Sequence, residues 1–360
     1  MTQNRGVPGG LSGSVEVVVT PAGEDDDVLL ELARTALAAP VAGPSPERLA
    51  ALEAKVRLAV AHGRAEATLR AYASDWADFA TWCRTIGVDA LPAAPATVAG
   101  YVSELAFPDD DRDPAAVSTI TRRLAAIGQV HSLARYDNPC GDALVREAMR
   151  GVRRALGVAP RHQKRAVTTE EIAAAVDQLG DRLIDVRDRA LLLVGYAGGM
   201  RRSELASLDV ADIASAPEGL LVHLRRSKTD PEARGRRIEV VYGTNPGTCP
   251  VRAYRAWVRA AGIGEGAAFR RVDRHSRIGD RLSPQGVAIV VKRHMGRLGH
   301  PVSDFAGHSL RRGHATTAAR NGASERTIMG TTGHTSVVTV RGYIDDAQLF
   351  SDPSSSYLGL

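Results

Sequence analysis

Apolar residues recur at helical spacing through much of the chain. Between Arg64 and Cys83, the residues Leu69, Tyr72, Trp76, Phe79 and Trp82 follow steps of three and four, which places them on one face of a helix. Ala96–Leu105 predicts a second helix, after a Pro-containing connection at Val88–Pro95. Val117, Ile120, Leu124, Ile127, Val130 and Leu133 form a third stripe, beyond an acidic break at Pro108–Pro114. Ala143–Leu156 predicts a fourth helix with Arg146, Arg150, Arg153 and Arg154 on or near one side. The pattern becomes mixed from Thr168. Thr169–Leu179 and Ile184–Ala197 predict helices, and Leu220–Leu224 and Arg237–Val241 predict strands joined by a basic turn, Arg225–Arg236. Helices resume at Pro250–Ala261 and from Ser283 onward.

This gives a mainly α protein with a small β-sheet. Residues 1–45 read as a flexible extension rich in Gly, Pro, Ser and acids, with a short helical stretch around Val28–Ala38. Residues 46–156 read as an all-helical domain, 157–167 as a basic linker, 168–346 as an α+β domain and 347–360 as a tail. The linker holds Arg161, His162, Lys164 and Arg165. The tail offers Ala347, Leu349, Phe350, Tyr357, Leu358 and Leu360 as apolar anchors for a neighbouring copy.

Charge sharpens this picture. Six acids against two arginines give residues 1–45 a net of −4, so residues 46–360 carry +9 of the chain's total of +5. A basic body suits a polyanion such as nucleic acid. No apolar run approaches the ~18–20 residues that span a bilayer, and the N-terminus lacks a secretory pattern. Cys83, Cys140 and Cys249 lie far apart without metal-ligand spacing, which fits reduced thiols in the cytoplasm.

The chemistry gathers in the second half. Arg201 and Glu204 sit in GMRRSEL, Lys228 in the basic turn, His308 and Arg311 in HSLRR, and His334 and Tyr343 in GHTSVVTVRGY. Each residue alone has an ordinary reading; Tyr343 is one of eight tyrosines. Together they supply what phosphodiester exchange needs. Two arginines can neutralise the non-bridging oxygens of a phosphorane. A lysine or histidine can protonate the leaving oxygen. A tyrosine can hold the phosphate as an ester, with a phenol of pKa ~10 as the leaving group on reversal. His308 and Arg311 are one helical turn apart. His334 and Tyr343 are nine apart, about 900° and about 13.5 Å along one helix, so the spacing predicts a turn at His334 ahead of the tyrosine's helix.

At these boxes the sequence resembles the tyrosine recombinases, also called phage integrases, and in particular the Cre-like two-domain members, over residues 60–345. The segments ATLRAYASDWADFATWC and LPAAPATVAGYV resemble the family's helical (SAM-like) core-binding domain. The resemblance implies that this domain and the catalytic domain form a C-clamp around double-stranded DNA carrying a specific site. It implies that Arg201 and Arg311 clamp the scissile phosphate, with Glu204 fixing the arginine box. Lys228 would be the general acid, His308 would assist proton transfer at the tyrosine, and His334 would hydrogen-bond a phosphate oxygen. Tyr343 would form a 3′-phosphotyrosine link, leading through a Holliday junction without metal, ATP or other cofactor. Arg122, Arg123, Arg150, Arg154, Lys164, Arg165, Arg202 and Arg312 are candidate DNA contacts. A homotetramer on DNA, room for accessory proteins, and a cytoplasmic, nucleoid-associated place in a bacterial, phage or plasmid system are further expectations. A type IB topoisomerase shares the chemistry and is the alternative; the helical domain ahead of the site favours the recombinase. One departure from the family pattern is His314, where Phe is common.

Overall fold

The computed structural model describes residues 45–62, 66–159, 163–225, 230, 235–348, 355 and 358. The extension before residue 45, Arg161, His162, Lys228, Leu349, Phe350, Tyr357 and Leu360 lie outside them. The chain divides into two units that meet between Val158 and Ala159.

The first unit is helical: α1 (Pro46–His62), α2 (Glu66–Thr85), α3 (Pro95–Ala106), α4 (Val117–Leu133) and α5 (Ala143–Leu156). The aromatic stripe of α2 packs in its core. Phe79 is fully buried, and its ring lies 5.0 Å from that of Tyr101 on α3 and 5.7 Å from that of Trp76. Two ends of the expected stripes are not buried. Leu69, in the first turn of α2, and Leu133, the last residue of α4, stay largely exposed. Beyond Leu133 the chain turns back at Arg135, whose φ is 60°. Helix α5 begins at an Asp142 cap, whose carboxylate accepts from Leu144 N at 2.8 Å.

Electrostatics tie α4 to α2. Arg122 pairs both oxygens of Asp75, at 2.7 and 2.9 Å. Arg123 contacts Asp78 and donates to the Tyr101 hydroxyl at 2.7 Å. Both arginines therefore serve the packing of this unit. Arg150 pairs with Glu147 on the solvent side of α5, at 2.6 Å, and Arg154 is exposed.

The second unit surrounds α7 (Leu183–Ala197), whose residues Ala190–Val194 are all buried. Helix α6 (Thr169–Asp177) precedes it, started by a capping box between Thr168 and Glu171. After the short α8 (Arg202–Ser207) come β1 (Ile213–Ala216), β2 (Gly219–Leu224) and β3 (Arg236–Val241), an antiparallel meander. Ile213, Val222 and Ile238 lie in register across it, and all three join the core. Helix α9 (Pro250–Ala261) packs on α7, and Trp257 donates to Ala268 O at 2.8 Å. A hairpin, β4 (Arg270–Val272) and β5 (Ile278–Arg281), leads to α10 (Pro284–Arg297). The sequence pattern predicts neither this hairpin nor β1. Every residue of β5 is exposed, so no apolar alternation marks it.

Residues 163–167 pack on this second unit, so the C-terminal part of the expected linker is docked. Lys164 Nζ donates to Ser303 O at 2.7 Å. Arg165 lies over the Phe305 ring and pairs with Glu171. The unit ends in α11 (Ser309–Arg320), α12 (Glu325–Thr332) and α13 (Val337–Gln348). These share a small cluster of their own: Ala315, Ala319, Ile328, Val340 and Tyr343.

One buried charge cluster staples α7 to α10. Asp188, 1% exposed, accepts from Arg187 Nε at 2.6 Å and bonds His294 Nε2 at 2.7 Å, with Arg293 as a third partner. Burial alone would raise the Asp188 pKa, but His294, Arg187 and Arg293 outweigh it and lower it. Removing the carboxylate strands buried cations, which costs about 3–5 kcal/mol. Asp188→Ala should therefore lose about that much in urea unfolding, against about 1 kcal/mol for the helix-cap change Asp142→Ala.

Candidate active site

The apolar helix α7 ends in a tight turn. Gly199, at φ +54°, allows it; a Cβ there would lie 2.9 Å from the His314 ring and 3.0 Å from Thr332. The turn delivers Arg201 to the start of α8. Glu204, one turn into α8 and 2% exposed, reaches back with Oε2 to accept from Arg201 N at 2.9 Å. Its Oε1 accepts from Arg201 Nη1 at 2.5 Å. Strand β3 brings a third partner that the motif reading missed. Arg236 Nη2 donates to Glu204 Oε2 at 2.9 Å. Strand alternation could have flagged it, because Arg236 shares the inward face of β3 with Ile238 and Val240, whereas Arg237 faces out.

Helix α11 brings Arg311, fully buried, one turn after His308. The three arginines then meet the C-terminal end of α12. Arg236 Nη1 donates to Thr331 O, Arg311 Nη1 to Thr332 O, and Arg201 Nη2 to Gly333 O at 3.4 Å. Arg311 Nη1 also reaches Gly199 O at 3.1 Å. The last carbonyls of a helix lack intrahelical donors and carry partial negative charge, so they suit guanidinium groups. Gly333 closes α12 in the left-handed region, at φ +65°, and a Cβ on it would lie 2.8 Å from Arg236.

His334 follows that glycine and lies between α12 and α13, in the turn the spacing requires. Thr332 Oγ1 donates its single proton to Ile328 O at 2.6 Å, so it accepts from His334 Nδ1–H at 2.8 Å. The neutral ring thus keeps its proton on Nδ1 and a lone pair on Nε2. Burial, then Arg311, Arg201, His308 and Arg236, push His334 down to about 3. Thr332, like Arg236, is a site residue that no motif flagged.

Helix α13 carries Tyr343, 8% exposed. Its hydroxyl lies 3.3 Å from His308 Nε2, and its ring centroid 5.6 Å from that of His334. The Arg312 guanidinium lies 5.8 Å from the tyrosine ring centroid, while its Nη1 donates to Lys164 O at 2.9 Å. Arg202 is exposed, with its stem against Gly307. Arg201, Glu204, His308, Arg311, His334 and Tyr343 are therefore brought together within one unit, and Lys228 lies outside the described residues.

The electrostatics of the cluster select an anion. Two guanidinium groups, Arg201 and Arg236, share one carboxylate, and a third, Arg311, lies within reach of its charge. Burial, with Arg201 and Arg236, lowers the Arg311 pKa to about 9, which leaves it charged at neutral pH. Burial and Arg201 also lower that of Arg236, against Glu204, which raises it. Arg311 Nε and Nη2 are buried without a hydrogen-bond partner. Buried donors of this kind are costly unless something pairs them. A phosphate, planar-fork compatible and negatively charged, fits them.

Residues 165–349 match the Phage integrase family. The chain is 38% identical over 311 residues to an integrase/recombinase xerD homolog of Selenomonas ruminantium, covering 85% of this chain and 88% of that protein. It is 26% identical to recombinase cre of Escherichia phage P1, covering 74% and 80%. In fold it is similar to the XerH site-specific recombinase in a post-cleavage complex with palindromic difH substrate. There the TM-score is 0.54 at 14% identity, over 73% of this chain and 72% of that one. With an arginine–histidine–tyrosine site inside the matched region, and with that degree of identity along most of its length, the chain belongs to the phage integrase family, the tyrosine recombinases.

Proposed function

We propose that this protein is a site-specific DNA recombinase that cuts and rejoins strands through a 3′-phosphotyrosine at Tyr343. The observation that carries this is the Tyr343 hydroxyl set 3.3 Å from His308, in the unit that holds Arg201 and the unpaired N–H groups of Arg311. Tyr343 Oη attacks the scissile phosphorus and passes its proton to His308 Nε2. The 5′ bridging oxygen leaves and takes a proton from Lys228 on the β2–β3 connection. Arg201 and Arg311 neutralise the non-bridging oxygens as the phosphorane forms, a contribution of about 10²–10³ in rate per donor by analogy with oxyanion holes. The 5′ hydroxyl of a second strand then attacks the phosphotyrosine, and the reverse proton transfers release Tyr343. The ester conserves the bond, so no ATP enters. The charge neutralisation comes from arginine, so no metal is required.

In the free protein the neutral His334 ring has no Nε2–H to give. The charge of the scissile phosphate favours its protonated form, and Nε2–H can then donate to a phosphate oxygen. The nucleophile sits in its own chain's site, which supports cleavage in cis. Exchange between two sites calls for a homotetramer, with the tail of residues 347–360 as its docking segment. The remaining basic candidates, Arg122, Arg123, Arg150, Arg154, Lys164, Arg165, Arg202 and Arg312, are proposed as backbone contacts in addition to the bonds described above.

The nucleophile is tested with a nicked DNA target that traps the covalent adduct. Tyr343→Phe should give no adduct on a denaturing gel; an adduct of normal yield would remove Tyr343 from this role. Supercoil relaxation by a monomer, with no exchange between sites, would instead return the topoisomerase reading. Adduct yield and strand exchange should be the same in EDTA as in magnesium, and a strict magnesium requirement would contradict charge neutralisation by arginine.

The histidine gives a pH prediction. The folded His334 titrates near 3 and the unfolded one near 6.5. Between those values the unfolded chain binds a proton that the folded chain refuses. Stability is therefore full above about pH 6.5 and falls as pH drops toward 3. Burial lowers His314 as well, which adds to the same trend. The melting temperature should fall from pH 7.5 to 4.5, and His334→Gln should flatten that fall. An equal slope in the variant would show that His334 does not contribute.

A further inference from the structure

We propose that Arg236 is a positioning residue for strand cleavage: it fixes the Glu204 carboxylate and the end of α12, and so sets the orientation of Arg201 and of the Gly333–His334 turn. The inference rests on the recombinase reading above.

Four observations meet on this side chain. Its Nη2 holds Glu204 Oε2, the oxygen that also accepts from Arg201 N. Its Nη1 holds Thr331 O, two residues before Gly333. Its guanidinium covers Gly333 so closely that a Cβ there would meet Nη1, Cζ and Nε at 2.8–2.9 Å. It is the first residue of β3, the strand that leaves the connection carrying Lys228. One rigid planar group thus joins the hairpin, the carboxylate of the first arginine box and the turn that presents His334.

The physical consequence lies in how Glu204 divides its two oxygens. With Arg236 and Arg201 N on Oε2, the Arg201 guanidinium reaches Oε1 through Nη1. Arginine and carboxylate otherwise favour a two-pronged fork. Without Arg236, Oε2 becomes available to the Arg201 side chain, and that fork draws the guanidinium onto Glu204 and away from a phosphate. Loss of Arg236 also leaves Thr331 O at the helix end without this donor. The side chain does its work through Glu204, Arg201 and the end of α12, so its removal should slow cleavage without weakening DNA binding.

The test compares full-length wild type, Arg236→Ala, Arg236→Lys, Glu204→Gln and the Arg236→Ala/Glu204→Gln double variant. The probe is a nicked duplex carrying the target site. Single-turnover adduct formation, DNA affinity and melting temperature are measured for each. Arg236→Ala should cut about 10–100-fold more slowly, the range seen when a group that orients a directly acting ligand is lost. Its affinity for the duplex should stay within about twofold of wild type. Arg236→Lys, which keeps the charge but not the fork, should fall between the two with a native melting temperature. In the Glu204→Gln background, Arg236→Ala should add less than it does alone, because the part of its effect that runs through Glu204 is already lost.

Wild-type cleavage rates in both Arg236 variants would overturn the proposal. Equal losses in affinity and cleavage would do so as well, since they would make Arg236 a DNA contact. Multiplying losses in the double variant would show that Arg236 does not act through Glu204. Should the alanine variant melt below the assay temperature, the same criteria apply to the lysine variant. Failure of the wild type itself to form an adduct would instead count against the recombinase reading.

Discussion

The site depends on holding three guanidinium groups around one carboxylate. Like charges at this range repel, and burial strengthens the repulsion by removing water. Two features oppose it: the Glu204 carboxylate, which contacts Arg201 and Arg236, and the carbonyl end of α12, which receives one bond from each arginine. The compensation is incomplete. One carboxylate and a fraction of a helix-dipole charge leave the cluster positive, and burial, followed by Arg201, lowers the pKa of Arg311. An anion relieves the repulsion, which suits the proposed phosphodiester substrate.

Much of the second unit arranges that convergence. The core around α7 fixes the Gly199 turn and hence Arg201. The β-meander, aligned by Val222 and Ile238, sets where β3 begins and hence Arg236. Helix α11 supplies His308 and Arg311 from one turn. Helix α12 contributes its C-terminal carbonyls and, through Thr332, the tautomer of His334. The proposed nucleophile arrives differently. Tyr343 and Val340 pack with Ala315, Ala319 and Ile328 in a cluster apart from the main core. Small clusters of that kind open at lower free energy than the core. The cationic half of the site is therefore anchored more deeply than Tyr343, the proposed nucleophile.

The helical stripes were legible because burial on one face needs apolar residues at helical spacing; Phe79, Ile120 and Ile127 sit where that spacing puts them. The stripes overran at Leu69 and Leu133, since spacing does not say where a neighbouring helix ends. The β4–β5 hairpin was illegible because its exposed strand carries no apolar alternation. Arg122 and Arg123 read in the sequence as candidate DNA contacts. Asp75 and Asp78, more than forty residues earlier, pair with them across two helices, which no local pattern reveals.

The sequence by itself determined which reactive side chains the chain carries and in what order. Two arginine boxes and a histidine–tyrosine box carry the charges and the phenol that the proposed phosphoryl transfer needs, and the nine-residue step from His334 to Tyr343 requires a turn. Tertiary structure decided which cations act together and what holds them. It picked Arg236 from a run of arginines, because strand pleating turns Arg236 inward and Arg237 outward. It also made Thr332 the partner that sets the His334 proton. The reason is one of distance: the arginine contacts join residues from four separate elements that only the packed fold brings within hydrogen-bond range, while the Thr332–His334 bond, though local, depends on the left-handed Gly333 between them.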